Sequence, residues 1–236
     1  MYSLILAVIY AAFISLGLPD AILGAAWPSM QPQMAVPVSF AGIISMFISI
    51  GTVVSSLLSD RLNRKFGTGP VTAVSVFMTA AALFGFSLSG EFWMLCILAV
   101  PYGLGAGAVD AALNNYVALH YSSRHMSWLH CFWGIGASAG PYIMGLCLRS
   151  RLGWQSGYRT IAIAQFILTA ALFFSLPLWK KADKSLKSNN GSSGDNGADK
   201  PVGFISSVKI RGVPLIMLAF FSYCAFESTA GLWASS

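Results

Sequence analysis

The frame Gly-x-x-Asp-Ala-x-Leu occurs twice in this chain, as Gly17-Leu-Pro-Asp20-Ala21-Ile-Leu23 and as Gly107-Ala-Val-Asp110-Ala111-Ala-Leu113, so two aspartates stand 90 residues apart. Each copy lies inside a long apolar stretch, where a carboxylate is expensive to bury. The same ungapped offset relates Arg61-Leu62 to Arg151-Leu152 and Gly67 to Gly157. Each unit contains three apolar segments. Three crossings leave a chain on the opposite side of a bilayer, so the second unit must insert upside down relative to the first. Inverted repeats of this kind build many secondary transporters, with the substrate site near the midplane between them.

The apolar segments are long enough for this reading. With 56% hydrophobic and only 9% charged residues and a mean hydropathy of +0.69, the chain lies outside the soluble range. Crossing about 30 Å of hydrocarbon takes about 20 mostly apolar residues in a helix. Six stretches qualify, roughly 3 to 29, 38 to 59, 69 to 89, 92 to 119, 126 to 148 and 156 to 179, and a seventh begins near Gly212 and is still running at Ser236. The first is too long, and too interrupted by Pro19 and Asp20, for a simple cleavable signal peptide. The expected fold is therefore an all-α membrane protein. A six-helix bundle fills residues 1–179, as repeats of about 1–90 and 91–179; a flexible linker follows over 180–211 and the start of a seventh helix over 212–236.

Orientation follows from Lys and Arg in the connections. Arg61, Arg64 and Lys65 lie after the second segment, Arg124 after the fourth, and seven basic residues from Lys180 to Arg211 after the sixth. The opposite side carries only Arg149, Arg151 and Arg159. The basic connections, and with them the N-terminus, are expected to be cytoplasmic. The net charge of +6 is mostly this bias and implies no nucleic-acid partner. Residues 180–211 turn abruptly polar, through Lys180-Lys-Ala-Asp-Lys and Ser188-Asn-Asn-Gly-Ser-Ser-Gly, too poor in large apolar groups to offset ordering by burial.

Four ionisable side chains fall well inside the spans: Asp20, Asp110, His130 and Glu227. Such groups normally face a polar cavity or a partner. Loss of water disfavours an ionised carboxyl, so either aspartate is a candidate proton carrier; the alternative is a helix-to-helix hydrogen bond that only holds the bundle together. Gly103, Gly107, Asp110 and Asn114 share one helical face, small at one end and polar at the other. His130, Gly134, Ala137 and Pro141 form another, on which His130 is either a solute ligand or a satisfied structural imidazole. His120, His125 and His130, five apart, scatter around a helix and argue against a metal site, and no cofactor is implied. Gly136-Ala-Ser138-Ala-Gly140 fits the nucleophile pattern Gly-x-Ser-x-Gly. That chemistry needs a strand and a strained turn before the serine, so mid-helix packing is the better reading and no enzyme is expected.

Ser56-Leu-Leu-Ser-Asp60-Arg61-Leu-Asn63-Arg64-Lys65 resembles the signature Gly-x-Leu-Ala-Asp-Arg-x-Gly-Arg-Lys of the major facilitator superfamily, with Ser56 and Asn63 in place of two glycines. The resemblance implies that Asp60, Arg61, Arg64 and Lys65 form a cytoplasmic gate that latches two six-helix halves, with Asp60 on a short loop. Gly136-x-x-x-Gly140-Pro141-x-x-x-Gly145 is similar to the superfamily's fifth-helix glycine-proline motif, often linked to antiporters, with one residue of spacing different. The segments around Asp20 and around Asp110-Ala-Ala-Leu-Asn114-Asn115, together with Tyr223-Cys-Ala-Phe-Glu227-x-x-x-Gly231-Leu-Trp233, resemble the branch containing fucose:proton symporters. By that resemblance Asp20 and Asp110 govern proton coupling, and Trp27, Asn114, Asn115 and Glu227 line a solute cavity; His130 joins them as the substrate-binding candidate read from its own helical face.

The resemblance implies proton-coupled symport of a sugar or similar small polar solute across the plasma membrane by alternating access. A proton-driven drug or metabolite antiporter and a non-transporting membrane scaffold or sensor are the alternatives. Superfamily members have twelve helices, so the chain is expected to be a truncated form whose missing C-terminal half, or a second chain, is needed for transport.

Overall fold

The computed structural model describes residues 2–190 and 208–233. Among the described residues eight helices follow one another: α1 (Tyr2–Gly17), α2 (Ile22–Met34), α3 (Phe40–Phe66), α4 (Thr68–Leu88), α5 (Phe92–His120), α6 (Ser123–Arg149), α7 (Gly153–Asn190) and α8 (Val213–Trp233). They make seven apolar spans, because α1 and α2 are two halves of one crossing, Leu4–Met34. The chain is thus an all-α, multi-pass membrane protein. Helix α7 continues to Asn190, past the expected boundary at 179; of the expected linker 180–211, residues 191–207 lie outside the described residues.

Lipid tails are as apolar as leucine, so spans associate through close packing and small residues, not through water expulsion. Helix α4 packs extensively on α5 and α7, and two further crossings are set by the duplicated frame. Helix α1 packs on α6, and α5 packs on α3, so the first span of each unit meets the second span of the other. At the first crossing a Cβ on Gly17 would collide with the backbone carbonyl of Trp133; at the second, a Cβ on Gly107 would collide with that of Thr52. The shared glycine does the same work in both units. From the opposite side Gly136 and Gly140 of α6 meet the carbonyls of Ile14 and Leu18, so the Gly-x-Ser-x-Gly run is a helix-crossing surface. Its Ser138 hydroxyl donates to the Gly134 carbonyl at 2.9 Å, an ordinary intrahelical bond. Across α3 and α5, Thr52 and Ser56 donate to the carbonyls of Gly103 and Gly107 at 3.3 and 3.2 Å.

The 90-residue offset does not extend to the second span of each unit. Helix α3 ends at Phe66 and α6 at Arg149, and the left-handed glycines that open the next helices are Gly67 (φ 86°) and Gly153 (φ 77°). Arg61 is helical whereas Arg151 lies in a turn at φ 58°, and Gly157 sits inside α7 against the Met144 side chain. Those two matches are therefore not structural equivalents; connections of different length separate the packed helices.

The buried core divides into two clusters. One gathers Trp27, Phe86, Tyr102, Trp154 and Tyr158; the other gathers Phe13, Leu113, Tyr116, Leu172 and Trp179. The first reaches the turns after α2, α4 and α6, the second the start of α1 and the end of α5, so each faces one side of the membrane.

Candidate functional site

Between the two clusters the α1–α2 crossing is broken. Leu18, Pro19, Asp20 and Ala21 leave the helix, with the Asp20 N–H donating to the Gly17 carbonyl at 3.1 Å. Proline supplies no N–H, so the Ser15 carbonyl, four residues before Pro19, loses its helical donor. Buried in hydrocarbon, that oxygen needs a replacement. Gln165 of α7, itself buried, donates its side-chain amide to it at 2.8 Å.

Asp20 projects from this break. Protein surrounds it, yet its side chain keeps an exposed surface, as expected of a group lining an open cavity. The indole N–H of Trp133 on α6 donates to its Oδ2 at 2.9 Å. Asp110 stands in unbroken α5, half-buried, and takes its donor from its own helix: Asn114 Nδ2 gives hydrogen bonds to Asp110 Oδ1 at 2.9 Å and to the Asp110 carbonyl at 3.1 Å. The charges of Asp110 and of Glu227 on α8 both act on Asp20, and the charge of His130 acts on Asp110. Four elements therefore converge: the α1–α2 break, α5, α6 and α8.

Other expected residues distribute unevenly. His130 is exposed, edge-on to Phe13 with ring centroids 6.1 Å apart. Glu227 and Asn114 are half-buried, and Asn115 is exposed. Trp27 departs from expectation. It is 2% exposed, packed in the core cluster, and its indole N–H donates to the Val38 carbonyl at 2.8 Å, tying α2 to the turn before α3. Its aromatic face is spent on packing and is not open to a solute.

The Asp60 to Lys65 segment also differs from expectation, being the last turns of α3 and not a loop. Asp60 and Arg64 are one helical turn apart and exposed, and they close an ion pair at 2.7 Å. His120 and His125 flank one aromatic cluster through Tyr116 and Tyr121, whereas His130 stands apart against Phe13. His125 Nδ1 shares a hydrogen bond of 2.8 Å with the Tyr10 hydroxyl, and His120 Nδ1 lies 2.8 Å from the Tyr116 carbonyl.

Two polar residues around Asp20 escaped the sequence reading, Trp133 and Gln165. Each is read as lipid-compatible filling until the helix it faces is known. The missing N–H of Pro19 was the one available signal, since it announces an orphaned carbonyl that some distant donor must satisfy.

The major facilitator superfamily model matches residues 9–236, and the chain belongs to that family. It is a family of transporters and not of enzymes, which agrees with the packing role of the Gly-x-Ser-x-Gly run. Among curated relatives, synaptic vesicle glycoprotein 2C of Rattus norvegicus is 27% identical over 165 residues, 64% of this chain and 22% of that protein. Sodium-dependent glucose transporter 1A of Mus musculus is 28% identical over 153 residues, 61% of this chain and 33% of that protein. Bypass of stop codon protein 6 of Saccharomyces cerevisiae is 24% identical over 241 aligned residues, 94% of this chain and 48% of that protein. The chain thus spans half or less of the length of each.

Proposed function

We propose that this chain is the first half of a secondary active transporter that moves a sugar or similar small polar solute together with a proton by alternating access. Asp20 and Asp110 govern proton occupancy, while Asn114, Asn115, His130 and Glu227 contact the solute. The observation that carries the reading is the break of the first crossing at Pro19–Asp20, where the Asp20 carboxylate leaves the helix and is held from α6 by the Trp133 indole at 2.9 Å. A carboxylate inside a span is costly unless it is partnered or used, so one set on a broken helix is placed to exchange its partner for a polar solute or a proton.

The motif resemblance to fucose:proton symporters and the similarity to the mouse sodium-dependent glucose transporter both favour a sugar. The Asp60–Arg64 pair and its neighbours Arg61 and Lys65 serve in the inward gate, at the cytoplasmic ends of α3 and α4. The N-terminus is cytoplasmic and the membrane is the plasma membrane, in keeping with the basic connections. A second six-helix half, or a second chain, supplies the opposing wall. The antiporter alternative has no observation of its own, because the α6 glycines already serve the crossing with α1.

Vesicles containing the protein, together with the half that completes it, provide the test. Adding a sugar is expected to drive proton uptake that disappears in Asp20→Asn. Uptake driven by a sodium gradient and indifferent to pH would replace the proton in this scheme. Sugar binding with no flux of any ion or solute would replace transport by sensing.

A further inference from the structure

Helices α3 and α4 both pack on α5, but they touch each other little, so they splay apart from the turn at Gly67. The wedge between them is a groove of about 440 Å³ floored by α5 at Leu104 and Ala108. Leu58, Leu62 and Phe66, four residues apart, form one wall, and Val74 and Met78 contribute to the other. Leu58, Phe66 and Val74 are 43%, 56% and 50% exposed, so the groove opens outward. Its lining includes neither Asp20, Asp110 nor Glu227. Its two hydroxyl residues, Ser55 and Ser75, are buried, and Ser55 spends its proton on the Thr52 carbonyl at 3.1 Å. The interior therefore suits hydrocarbon.

The mouth is different. Lys65 Nζ lies 5.2 Å from the centroid of the Phe66 ring, which places an ammonium at the end of the apolar wall. Arg61 stands one helical turn before Lys65 on the same exposed edge. The neighbouring Arg64 is neutralised by Asp60, whereas neither Arg61 nor Lys65 has an ion-pair partner among the described residues. The whole volume is at most about one turn of a helix about 10–12 Å across with a 5.4 Å pitch. A transmembrane helix is thus a poor fit and a single acyl chain a good one.

We propose that this groove binds one anionic phospholipid of the leaflet on the Arg61 and Lys65 side, with an acyl chain between α3 and α4 and the phosphate at the two free cations. Each basic residue beside an anionic headgroup is worth about fivefold in occupancy. Its two cations are shared with the proposed gate segment, but lipid binding there needs neither the solute nor the proton.

The test uses vesicles of phosphatidylcholine doped with a small fraction of phosphatidylglycerol, or of phosphatidylcholine, bearing a photoactivatable diazirine on one acyl chain. Labelled residues are mapped by peptide mass spectrometry. Phosphatidylglycerol is expected to label the groove at Leu62, Phe66 and Val74 at least about fivefold more than phosphatidylcholine. The double substitution Arg61→Gln with Lys65→Gln is expected to bring the two lipids level. Labelling at the remote exposed Phe174 should be unchanged, which verifies folding. The charge-retaining Arg61→Lys should keep the preference. Equal labelling by both lipids, a preference that survives the double substitution, or a groove that neither lipid labels would each overturn the proposal; the last would mean that protein fills it.

Discussion

Asp20 and Asp110 hold the same place in a duplicated frame, yet one projects from a broken helix and the other from an intact one. The residue before each aspartate makes the difference: Pro19 in the first unit, Val109 in the second. Pro19 ends the i→i−4 ladder and hands the Ser15 carbonyl to Gln165, whereas Val109 keeps α5 helical through Asp110. Their donors differ for a related reason. Gly17 meets α6 at Trp133, whose indole reaches Asp20; Gly107 meets α3 at Thr52, whose hydroxyl is already spent on the Gly103 carbonyl. Asp110 therefore turns to Asn114. One unit offers a carboxylate on a jointed segment held by two other helices, the other a carboxylate on a rod held by itself. Duplication has given two acids with different freedom to move.

On the proposed proton-coupled reading, this contrast puts the movable proton on the jointed side. Asp20→Asn is expected to cut solute-driven proton uptake in vesicles by about a hundredfold or more, the scale on which a positioned proton-transfer group acts. Asp110→Asn should reduce it less. Equal losses in the two variants would remove the functional meaning of the break.

The glycines test the opposite point, that the units are alike in packing. Gly17→Ala and Gly107→Ala each drive a Cβ into a backbone carbonyl and should each destabilise the protein by about 1–3 kcal/mol, read as a lowered melting temperature in detergent. Gly134→Ala, with nothing within 4 Å of its Cβ, should instead be neutral or stabilising by about 0.5–1 kcal/mol. Unequal costs at Gly17 and Gly107 would break the equivalence of the crossings.

The break itself is open to a rescue experiment. Gln165→Leu leaves the Ser15 carbonyl buried without a donor, at a cost of about 1–3 kcal/mol. Pro19→Ala restores a backbone N–H that can reach that carbonyl, so adding it to Gln165→Leu should recover most of the loss. No recovery in the double variant would mean that Gln165 acts through packing and not through its bond to Ser15.

These tests also mark what the sequence could and could not disclose. Spans, the repeat and the paired aspartates were legible because helical length and the cost of a buried carboxylate are local, one-dimensional facts. The α5 face of Gly103, Gly107, Asp110 and Asn114 was legible for the same reason, and its Asp110–Asn114 bond follows from four-residue spacing. Trp133 and Gln165 were not, because their partners lie 113 and 150 residues away and only the helix crossings bring them close. The drift of the repeat offset after the first span was hidden too, since turn lengths vary without disturbing packed helices. Trp27 was misjudged because an indole in an apolar run gives no sign of which side it faces.

The smallest expected effect concerns that indole. Trp27→Phe keeps most of the packing in the core cluster and removes the 2.8 Å bond to the Val38 carbonyl, so stability should fall by about 1 kcal/mol. Solute affinity, measured on the same variant by equilibrium binding, should stay at its original value. Asn114→Leu should behave in the reverse way: it frees Asp110 from its intrahelical donor and alters affinity more than melting temperature. If Trp27→Phe weakened solute binding as much as Asn114→Leu, the cavity would have to reach the α2 side of the break. The first unit would then contribute an aromatic wall as well as a jointed carboxylate.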